Sequence, residues 1–301
     1  MIYTVTFNPA IDYVIHLDAP MQTGSINRTA AEDFQFGGKG INVSGMLKNL
    51  GVDSVAMGFV AGFTGRALEQ GLQRQKLKTD LIHVEAGMTR INVKIKGKEE
   101  TEINGMGPEI SERDLQLLHR KLDTLRAGDT LVLSGSIPSC LPQDTYEHIL
   151  ARLQGRGIRF VVDATRDLLV NVLKYKPFLI KPNNHELGEI FGATPVTTGE
   201  IVTCARRLQG MGAGNVLVSM AGDGALLLDE NGRSHRIGCP KGTVVNSVGA
   251  GDSMVAGFLA GYLKTGDYSY ALKLGTAAGS ATAFSMGLGE RALIQSLFAQ
   301  L

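Results

Sequence analysis

The strongest chemical signal in the sequence is a glycine-rich run that ends in an aspartate, Val-Gly-Ala-Gly-Asp at residues 248–252. Helical spacing follows at 254–263, so the run predicts a turn that begins a helix. Free backbone N–H groups at a helix start attract anions, and glycines let a phosphate approach the backbone closely. Because a carboxylate repels an anion, Asp252 indicates a proton acceptor for the group that attacks that anion. The alternative is that Asp252 only caps the helix.

A second glycine-rich run, Gly-Gly-Lys-Gly-Ile-Asn at residues 37–42, precedes a predicted helix at 42–50. Lys39 provides a point charge, and the Asn42 amide can both donate and accept hydrogen bonds. A polyol that carries a phosphate would suit this mixture of groups. The alternative is a glycine turn with a solvated lysine.

The run Asn-Pro-Ala-Ile-Asp at residues 8–12 lies where the first predicted strand ends. Ligands of parallel sheets bind at the carboxyl ends of the strands. Asp12 could therefore accept hydrogen bonds from sugar hydroxyls. Alternatively, Asn8 and Asp12 serve only as turn formers.

Residues 181–186, Lys-Pro-Asn-Asn-His-Glu, follow another predicted strand. Asn183 and Glu186 are three positions apart at a helix start, so their side chains share one face. Oxygen ligands of this kind suit Mg²⁺, which usually retains several waters. The alternative is a capping box with Asn183 as the N-cap residue. His185 has no histidine partner at metal-ligand spacing, so zinc is not expected.

Arg90, Asn92 and Lys94 alternate with apolar residues in a predicted strand and therefore share its polar face. Arg90 has the planar fork that suits a substrate phosphate, and Arg28 could assist it. The alternative is a polar face that is simply solvated.

Short apolar strands alternate with amphipathic helices through most of the chain, which predicts βαβ units and a mostly parallel sheet between two helical layers. The predicted strands include 55–60, 130–133, 159–162, 178–180 and 216–218, and the predicted helices include 111–126, 143–154 and 199–210. Segments 12–36 and 89–104 break this pattern. In the second, a turn at Gly97-Lys98 joins two strands, so we expect a small antiparallel lid whose apolar face needs a partner.

Composition excludes several classes of protein. The 301 residues are 44% hydrophobic with a formal charge of +1, which argues against disorder and against nucleic-acid binding through overall charge. The chain has no 18-residue apolar stretch and no evident signal peptide, so we expect no membrane partner and a cytoplasmic location. The glycine runs match neither a P-loop nor a dinucleotide fingerprint.

Taken together, runs 37–42, 183–186 and 248–252 resemble the motifs of the PfkB (ribokinase-like) sugar kinases, in family order over the whole chain. Runs 8–12, 89–94 and 134–138 are similar to the phosphosugar branch of that family. The resemblance implies one kinase domain over 1–301. It also implies a three-layer αβα sandwich with a mostly parallel sheet, and a β-sheet lid that often pairs with a second lid in a homodimer.

The same resemblance implies roles for individual residues. Asp252 would be the base, and the N–H groups of Gly249, Ala250 and Gly251 would hold the transferring phosphoryl group. Asn183 and Glu186 would organise Mg²⁺. The residues expected at the phosphosugar are Asp12, Arg28, Gly38, Lys39, Asn42, Arg90, Asn92 and Ser136. The residues expected at ATP are Asn183, Ser219, Gly222, Gly224 and Ser247.

The expected reaction is phosphorylation of the 6-hydroxyl of fructose 1-phosphate by ATP. Tagatose 6-phosphate, fructose 6-phosphate and unphosphorylated sugars are alternative substrates for the same fold. A sugar-phosphate or nucleotide sensor without activity is a further alternative. Asp252 disfavours the sensor, because binding alone does not need a carboxylate beside an anion.

Overall fold

The computed structural model describes residues 1–97 and 99–301. The strands are β1 (Ile2–Thr6), β2 (Ala10–His16), β3 (Ala31–Gly37), β4 (Ser54–Ala61), β5 (Thr79–Val84), β6 (Arg90–Lys96), β7 (Glu100–Asn104), β8 (Thr130–Ser134), β9 (Arg159–Asp163), β10 (Leu179–Ile180), β11 (Asn215–Ser219), β12 (Ala225–Leu228) and β13 (Ser234–Ile237). The helices are α1 (Lys39–Asn49), α2 (Gly62–Arg74), α3 (Glu112–Leu122), α4 (Thr145–Leu153), α5 (Arg166–Val172), α6 (Asn184–Phe191), α7 (Thr198–Gly210), α8 (Ala250–Thr265), α9 (Tyr268–Ala283) and α10 (Arg291–Gln300).

Within the described residues, nine strands form a large sheet in the order β13-β12-β11-β10-β9-β8-β1-β4-β5. Neighbouring strands from β11 through to β5 are parallel, whereas β12 pairs antiparallel with both β11 and β13. Strands such as β8 and β9 are buried on both faces, which explains why their sequences are short apolar runs. The expected mostly parallel sheet is confirmed.

Helices cover both faces of this sheet. On one face, α3 to α7 pack through side chains such as Leu118 and Tyr146. On the other face, α1, α8, α9 and α10 pack through side chains such as Val43 and Phe258. The expected three-layer αβα arrangement is therefore confirmed.

A second, four-stranded sheet has the order β3-β2-β6-β7, with β2 and β6 parallel and the other pairs antiparallel. It packs against α2, where the Phe36 ring lies over Gly71. A Cβ at Gly71 would lie 2.3 Å from that ring, so the contact depends on glycine. Strands β6 and β7 fall within the predicted lid segment 89–104, whereas β2 begins two residues before the predicted segment 12–36 and β3 ends one residue after it. Lys98, in the predicted turn, lies outside the described residues.

The two faces of the small sheet differ in exposure to solvent. The polar residues Asn92 and Lys94 face the large sheet and are each only 7% exposed, so this central part of the polar face is not solvated. On the opposite face, Tyr13 stacks on Phe34, with ring centroids 4.7 Å apart. Phe34 and Ile103 are each 59% exposed. The part of the apolar face that carries Phe34 and Ile103 is thus open to solvent, whereas Phe36 of the same face packs against α2.

In residues 1–97 and 99–301, no helix combines the length and the apolar character that crossing a membrane requires.

Candidate active site

A cavity of about 270 Å³ lies between the small sheet and the carboxyl edge of the large sheet, and we call it the inner cavity. It brings together residues that are far apart in the chain. The predicted site residues that line it are Asp12, Gly38, Lys39, Asn42, Arg90, Asn92, Gly249, Gly251 and Asp252. The fold therefore brings residues from four separate sequence motifs to one place.

Asp252 lies in the first turn of α8 and is 5% exposed. Its Oδ2 accepts a hydrogen bond of 2.8 Å from the Asn42 side-chain amide. Gly249 is the N-cap residue of α8, so Asp252 does not occupy the capping position that the alternative interpretation required. Burial raises the pKa of the Asp252 carboxyl to about 6, and the negative charge of Asp163 adds to the increase. A carboxyl with this pKa is suited to accept a proton near neutral pH.

Asp163, at the end of β9, is a buried carboxylate that the sequence analysis missed. Its side chain is 1% exposed and lies between two ammonium groups, 3.4 Å from Lys181 Nζ and 3.7 Å from Lys39 Nζ. The charge of Asp163 raises the pKa of Lys39, so that lysine stays protonated. In the described part of the chain, neither oxygen of Asp163 accepts a hydrogen bond. Asp163 therefore has free acceptor capacity toward a ligand or a hydrated cation.

Lys181 lies at the edge of the inner cavity and is 5% exposed. A Cβ built on Gly251 would lie 3.1 Å from Lys181 Nζ, so the missing side chain lets this ammonium approach the start of α8. The ammonium and the helix terminus together make a strongly anion-attracting position. Position at a strand end is the signal that could have identified both Asp163 and Lys181, since each follows a predicted buried strand.

A smaller pocket of about 120 Å³ opens beside the inner cavity, and we call it the side pocket. Its lining includes Arg90, Lys39 and the Ser-Gly-Ser loop at 134–136, so the predicted Ser136 lies here. Arg90 Nε donates to the Asn8 carbonyl at 3.1 Å, which orients the guanidinium. Within the described residues, Asn8 Oδ1 and Ser134 Oγ are buried without a hydrogen-bond partner. The pocket thus offers a cation and polar groups to an anion of phosphate size.

A larger cavity of about 600 Å³ lies on the other side of the α8 start, and we call it the outer cavity. It is lined largely by small or uncharged residues. Every residue that the sequence places at ATP lines it: Asn183, Ser219, Gly222, Gly224 and Ser247. Ala250 and Gly251 line it as well, and Gly251 also lines the inner cavity. The two cavities therefore meet at the helix start.

Asn183 and Glu186 are engaged with each other. Asn183 Oδ1 accepts from the Glu186 N–H, and Glu186 Oε2 accepts from the Asn183 N–H, both at 2.8 Å. This is the capping box that the sequence left as the alternative to a magnesium site. No group of three or more His, Cys, Asp or Glu suited to a metal ion occurs in residues 1–97 and 99–301. A metal would therefore bind here with few protein ligands.

Glu186 lines none of the three cavities in the described part of the chain, but it is hydrogen-bonded to Asn183, which lines the outer cavity. Arg28 is a predicted residue that the fold leaves away from the site. It lies on an exposed segment between β2 and β3, and none of the three cavities includes it. Its contact with a substrate phosphate stays a prediction.

The chain is similar to known carbohydrate kinases over almost its whole length. The model of the pfkB family carbohydrate kinases matches residues 5–294. The chain is 48% identical over 301 residues to a 1-phosphofructokinase of Bacillus subtilis, covering 100% of this chain and 98% of that protein. It is 39% identical over 302 residues to a D-tagatose-1-phosphate kinase of Bacillus licheniformis, covering 100% and 98%. The structure of Escherichia coli phosphofructokinase-2 with fructose-6-phosphate matches at a TM-score of 0.91, with 26% identity and coverage of 99% and 98%.

Proposed function

Because the chain belongs to the pfkB family of carbohydrate kinases, we propose that it transfers the γ-phosphoryl group of ATP to the 6-hydroxyl of fructose 1-phosphate. The products are fructose 1,6-bisphosphate and ADP. The observation that carries this proposal is the junction of the two cavities at Gly251, with the buried Asp252 beside it. ATP occupies the outer cavity, the sugar occupies the inner cavity, and the phosphoryl group passes between them.

Asp252 is the proton acceptor in this mechanism. As the 6-oxygen forms its bond to the γ-phosphorus, the bond between that phosphorus and the ADP oxygen breaks, and the hydroxyl proton goes to Asp252. The raised pKa makes this carboxylate a stronger base than an ordinary aspartate, and Asn42 orients it. Holding both substrates in the correct geometry around this group supplies most of the rest of the rate acceleration.

The charge that develops on the transferring group is stabilised by backbone and side-chain donors. The N–H groups at 249–251 lie at the positive end of the α8 dipole, and Lys181 and Lys39 add two ammonium charges. Asp163 holds both lysines through its ion pairs. This network lets the cations lie close together before the phosphates bind.

The residues around Asp163 are suited to Mg²⁺. Asp163 has two buried oxygens with free acceptor capacity, and Mg²⁺ is usually held by one or two carboxylates with several retained waters. Asp163 and Glu186 would hold the ion, with Asn183 beside it. When bound with ATP, Mg²⁺ neutralises phosphate charge.

The side pocket is the proposed position of the sugar's phosphate. Arg90 provides the bidentate donor, and Lys39 and Ser136 also line the pocket. Fructose 1-phosphate is the preferred substrate because a relative that is 48% identical to this chain is a 1-phosphofructokinase. A tagatose kinase is the alternative, and relatives of that name act on the 1-phosphate. That alternative is not better supported.

A coupled ADP-release assay with Mg-ATP tests the proposed function. The sugars compared are fructose 1-phosphate, fructose 6-phosphate, tagatose 1-phosphate, tagatose 6-phosphate and fructose. A preference in kcat/KM for fructose 1-phosphate of about tenfold or more supports the assignment. A preference for a 6-phosphate sugar would mean that the sugar's phosphate binds elsewhere than in the side pocket, while the proposed kinase mechanism would still hold. No turnover with any of them would overturn the proposal.

The small sheet is the proposed lid of a single kinase domain that spans 1–301. Its polar face covers the inner cavity, so closure would exclude water from the reacting groups. Its apolar outer face, which includes Tyr13, Phe34 and Ile103, would pack against the same face of a second copy. The predicted partner is thus a second copy of this chain, in a homodimer formed through the lids.

A further inference from the structure

Lys94 lies in the middle of β6 and carries a charge in a buried position. Only 7% of the residue is exposed. Its Nζ lies 3.3 Å from Asp12 Oδ2 and 3.7 Å from Glu102 Oε1, so it joins β2 to β7 across β6. A buried ion pair is weak evidence for stability, because removing charges from water offsets much of their attraction. The position of this charge beside the inner cavity suggests a role in the site.

Asp12 is anchored at both carboxylate oxygens. Asn92, directly opposite Asp12 in the strand register, donates its side-chain amide to Oδ1 at 2.8 Å. The Gly105 N–H donates to Asn92 Oδ1 at 3.3 Å, which sets the orientation of that amide. Lys94 occupies the other oxygen of Asp12. With both oxygens held, the carboxylate has one orientation toward the inner cavity, which Asp12 lines.

We propose that Lys94 is a positioning residue for the sugar: its ammonium holds the Asp12 carboxylate in the orientation that accepts hydrogen bonds from the hydroxyls of the phosphosugar. The inference rests on the proposed function and adds a residue to its sugar site. Lys94 acts through Asp12, since its own ammonium is covered by Asp12 and Glu102 and does not line the inner cavity in the described part of the chain.

Lys96 offers a matched control two residues along the same strand. Its Nζ lies 2.6 Å from Glu100 Oε1, and the two residues are directly opposite, just as Lys94 is opposite Glu102. The Lys96 and Glu100 side chains are 30% and 48% exposed, so this pair belongs to the rim of the sheet. Lys96→Met removes a cross-strand ion pair of the same two strands without removing a partner of Asp12.

The experiment compares Lys94→Met with Lys96→Met, after wild-type turnover has identified the preferred phosphosugar. Lys94→Met should raise the KM for that sugar about tenfold or more and change the KM for ATP less than about twofold, because a binding interaction of the sugar alone is lost. Lys96→Met should leave both KM values within about twofold of wild type.

A double-mutant cycle separates positioning from a general effect on the fold. In an Asp12→Asn background, Lys94→Met should raise the sugar KM by less than about twofold, since the carboxylate that it positions is gone. An unchanged sugar KM in the Lys94 variant, equal effects of the two lysine variants, or additive effects in the cycle would overturn the inference. If Lys94→Met does not fold, Lys94→Gln replaces it under the same criteria.

The experiments distinguish a failure of the proposed function from a failure of the inference about Lys94. No wild-type turnover with any phosphosugar would overturn the proposed function and this inference with it. Wild-type turnover combined with an unchanged sugar KM in the Lys94 variant would overturn the inference alone.

Discussion

The inner and outer cavities meet at one glycine, yet they are built differently. The outer cavity is walled by loops of mostly small, uncharged residues, including Ser219, Gly222 and Ser247. The inner cavity is walled by charged side chains that contact one another, such as Asp163 with Lys181. The outer cavity is suited to recognise its ligand by shape, and the inner cavity by charge and hydrogen bonds. Single polar substitutions should therefore cost far more in the inner cavity than in the outer one.

Asp252→Asn gives the largest expected effect. The amide is nearly isosteric and can still accept from Asn42, but it cannot accept the hydroxyl proton, so kcat should fall by about 10² to 10⁴. Binding of ATP and of the sugar, measured by calorimetry, should change little. Asp223→Asn, the same change in the outer cavity, is the matched control and should keep kcat within about threefold. Wild-type turnover in Asp252→Asn would show that the base is assigned wrongly.

Arg90→Ala should raise the KM for the phosphosugar by about 10- to 100-fold, because a charge-assisted contact to its phosphate is lost. The KM for ATP should stay near the wild-type value. Steady-state kinetics with each substrate varied in turn measures both. Arg28→Ala is the comparison, and a smaller effect is expected from this exposed residue. An unchanged sugar KM in Arg90→Ala would remove Arg90 from the phosphate site.

The pH dependence of kcat/KM tests the electrostatics of the inner cavity. Because the pKa of Asp252 is raised to about 6, the base is protonated below that pH, and kcat/KM should fall about tenfold per pH unit on the acid side. The residual activity of Asp252→Asn should lack this acid limb. An acid limb that persists in the variant would assign the titration to another group, such as the substrate phosphate.

Phe34→Glu tests whether the small sheet contributes to binding of the sugar more than to binding of ATP. A carboxylate on the exposed apolar face should oppose packing against a second copy, so sedimentation velocity should show a shift from dimer to monomer. The KM for the sugar should then rise more than the KM for ATP, since the small sheet contributes residues to the inner cavity and the side pocket and, in the described part of the chain, none to the outer cavity. A wild-type protein that is already monomeric would contradict the proposed dimer.

The smallest expected effect is on stability. A raised carboxyl pKa contributes stability that is fully present below its ordinary value near 4 and is lost as the pH rises through about 6. The ionised Asp252 is therefore destabilising at pH 8, and Asp252→Asn should raise the Tm there by about 2–4 °C. Near pH 4 the two proteins should melt at similar temperatures. A lower Tm for the variant at pH 8 would contradict the burial argument.

The outer cavity could be predicted from the sequence more fully than the inner cavity, which contains Asp163 and Lys181 as well. The glycine runs are local: a turn before a helix start needs consecutive small residues, so the pattern is visible in a short stretch of sequence. All five residues that the family resemblance places at ATP line the outer cavity. The contacts of Asp163 with Lys39 and of Lys94 with Asp12 join residues far apart in the chain, and no short motif encodes them.

Asn183 and Glu186 show how spacing can support two roles at once. Both the capping box and the magnesium ligands need an oxygen at each end of a three-residue step, so the sequence left both interpretations open. The structure contains the capping box, which uses Glu186 Oε2, and the described residues add two buried oxygens without a hydrogen-bond partner on Asp163. The magnesium proposal therefore extends to a residue that the local motif does not include.

The amino-acid sequence alone predicted an alternation of strands and helices, the αβα layers and the glycine turns, because hydrophobic periodicity and turn chemistry act over a few residues. The tertiary structure decided which side chains share a cavity, which face of the small sheet is open, and how far the pKa of Asp252 is raised. These properties depend on burial and on charges brought together from distant segments. Asp163 and Asp252 are far apart along the chain, and only the tertiary structure brings the two carboxylates into one buried site.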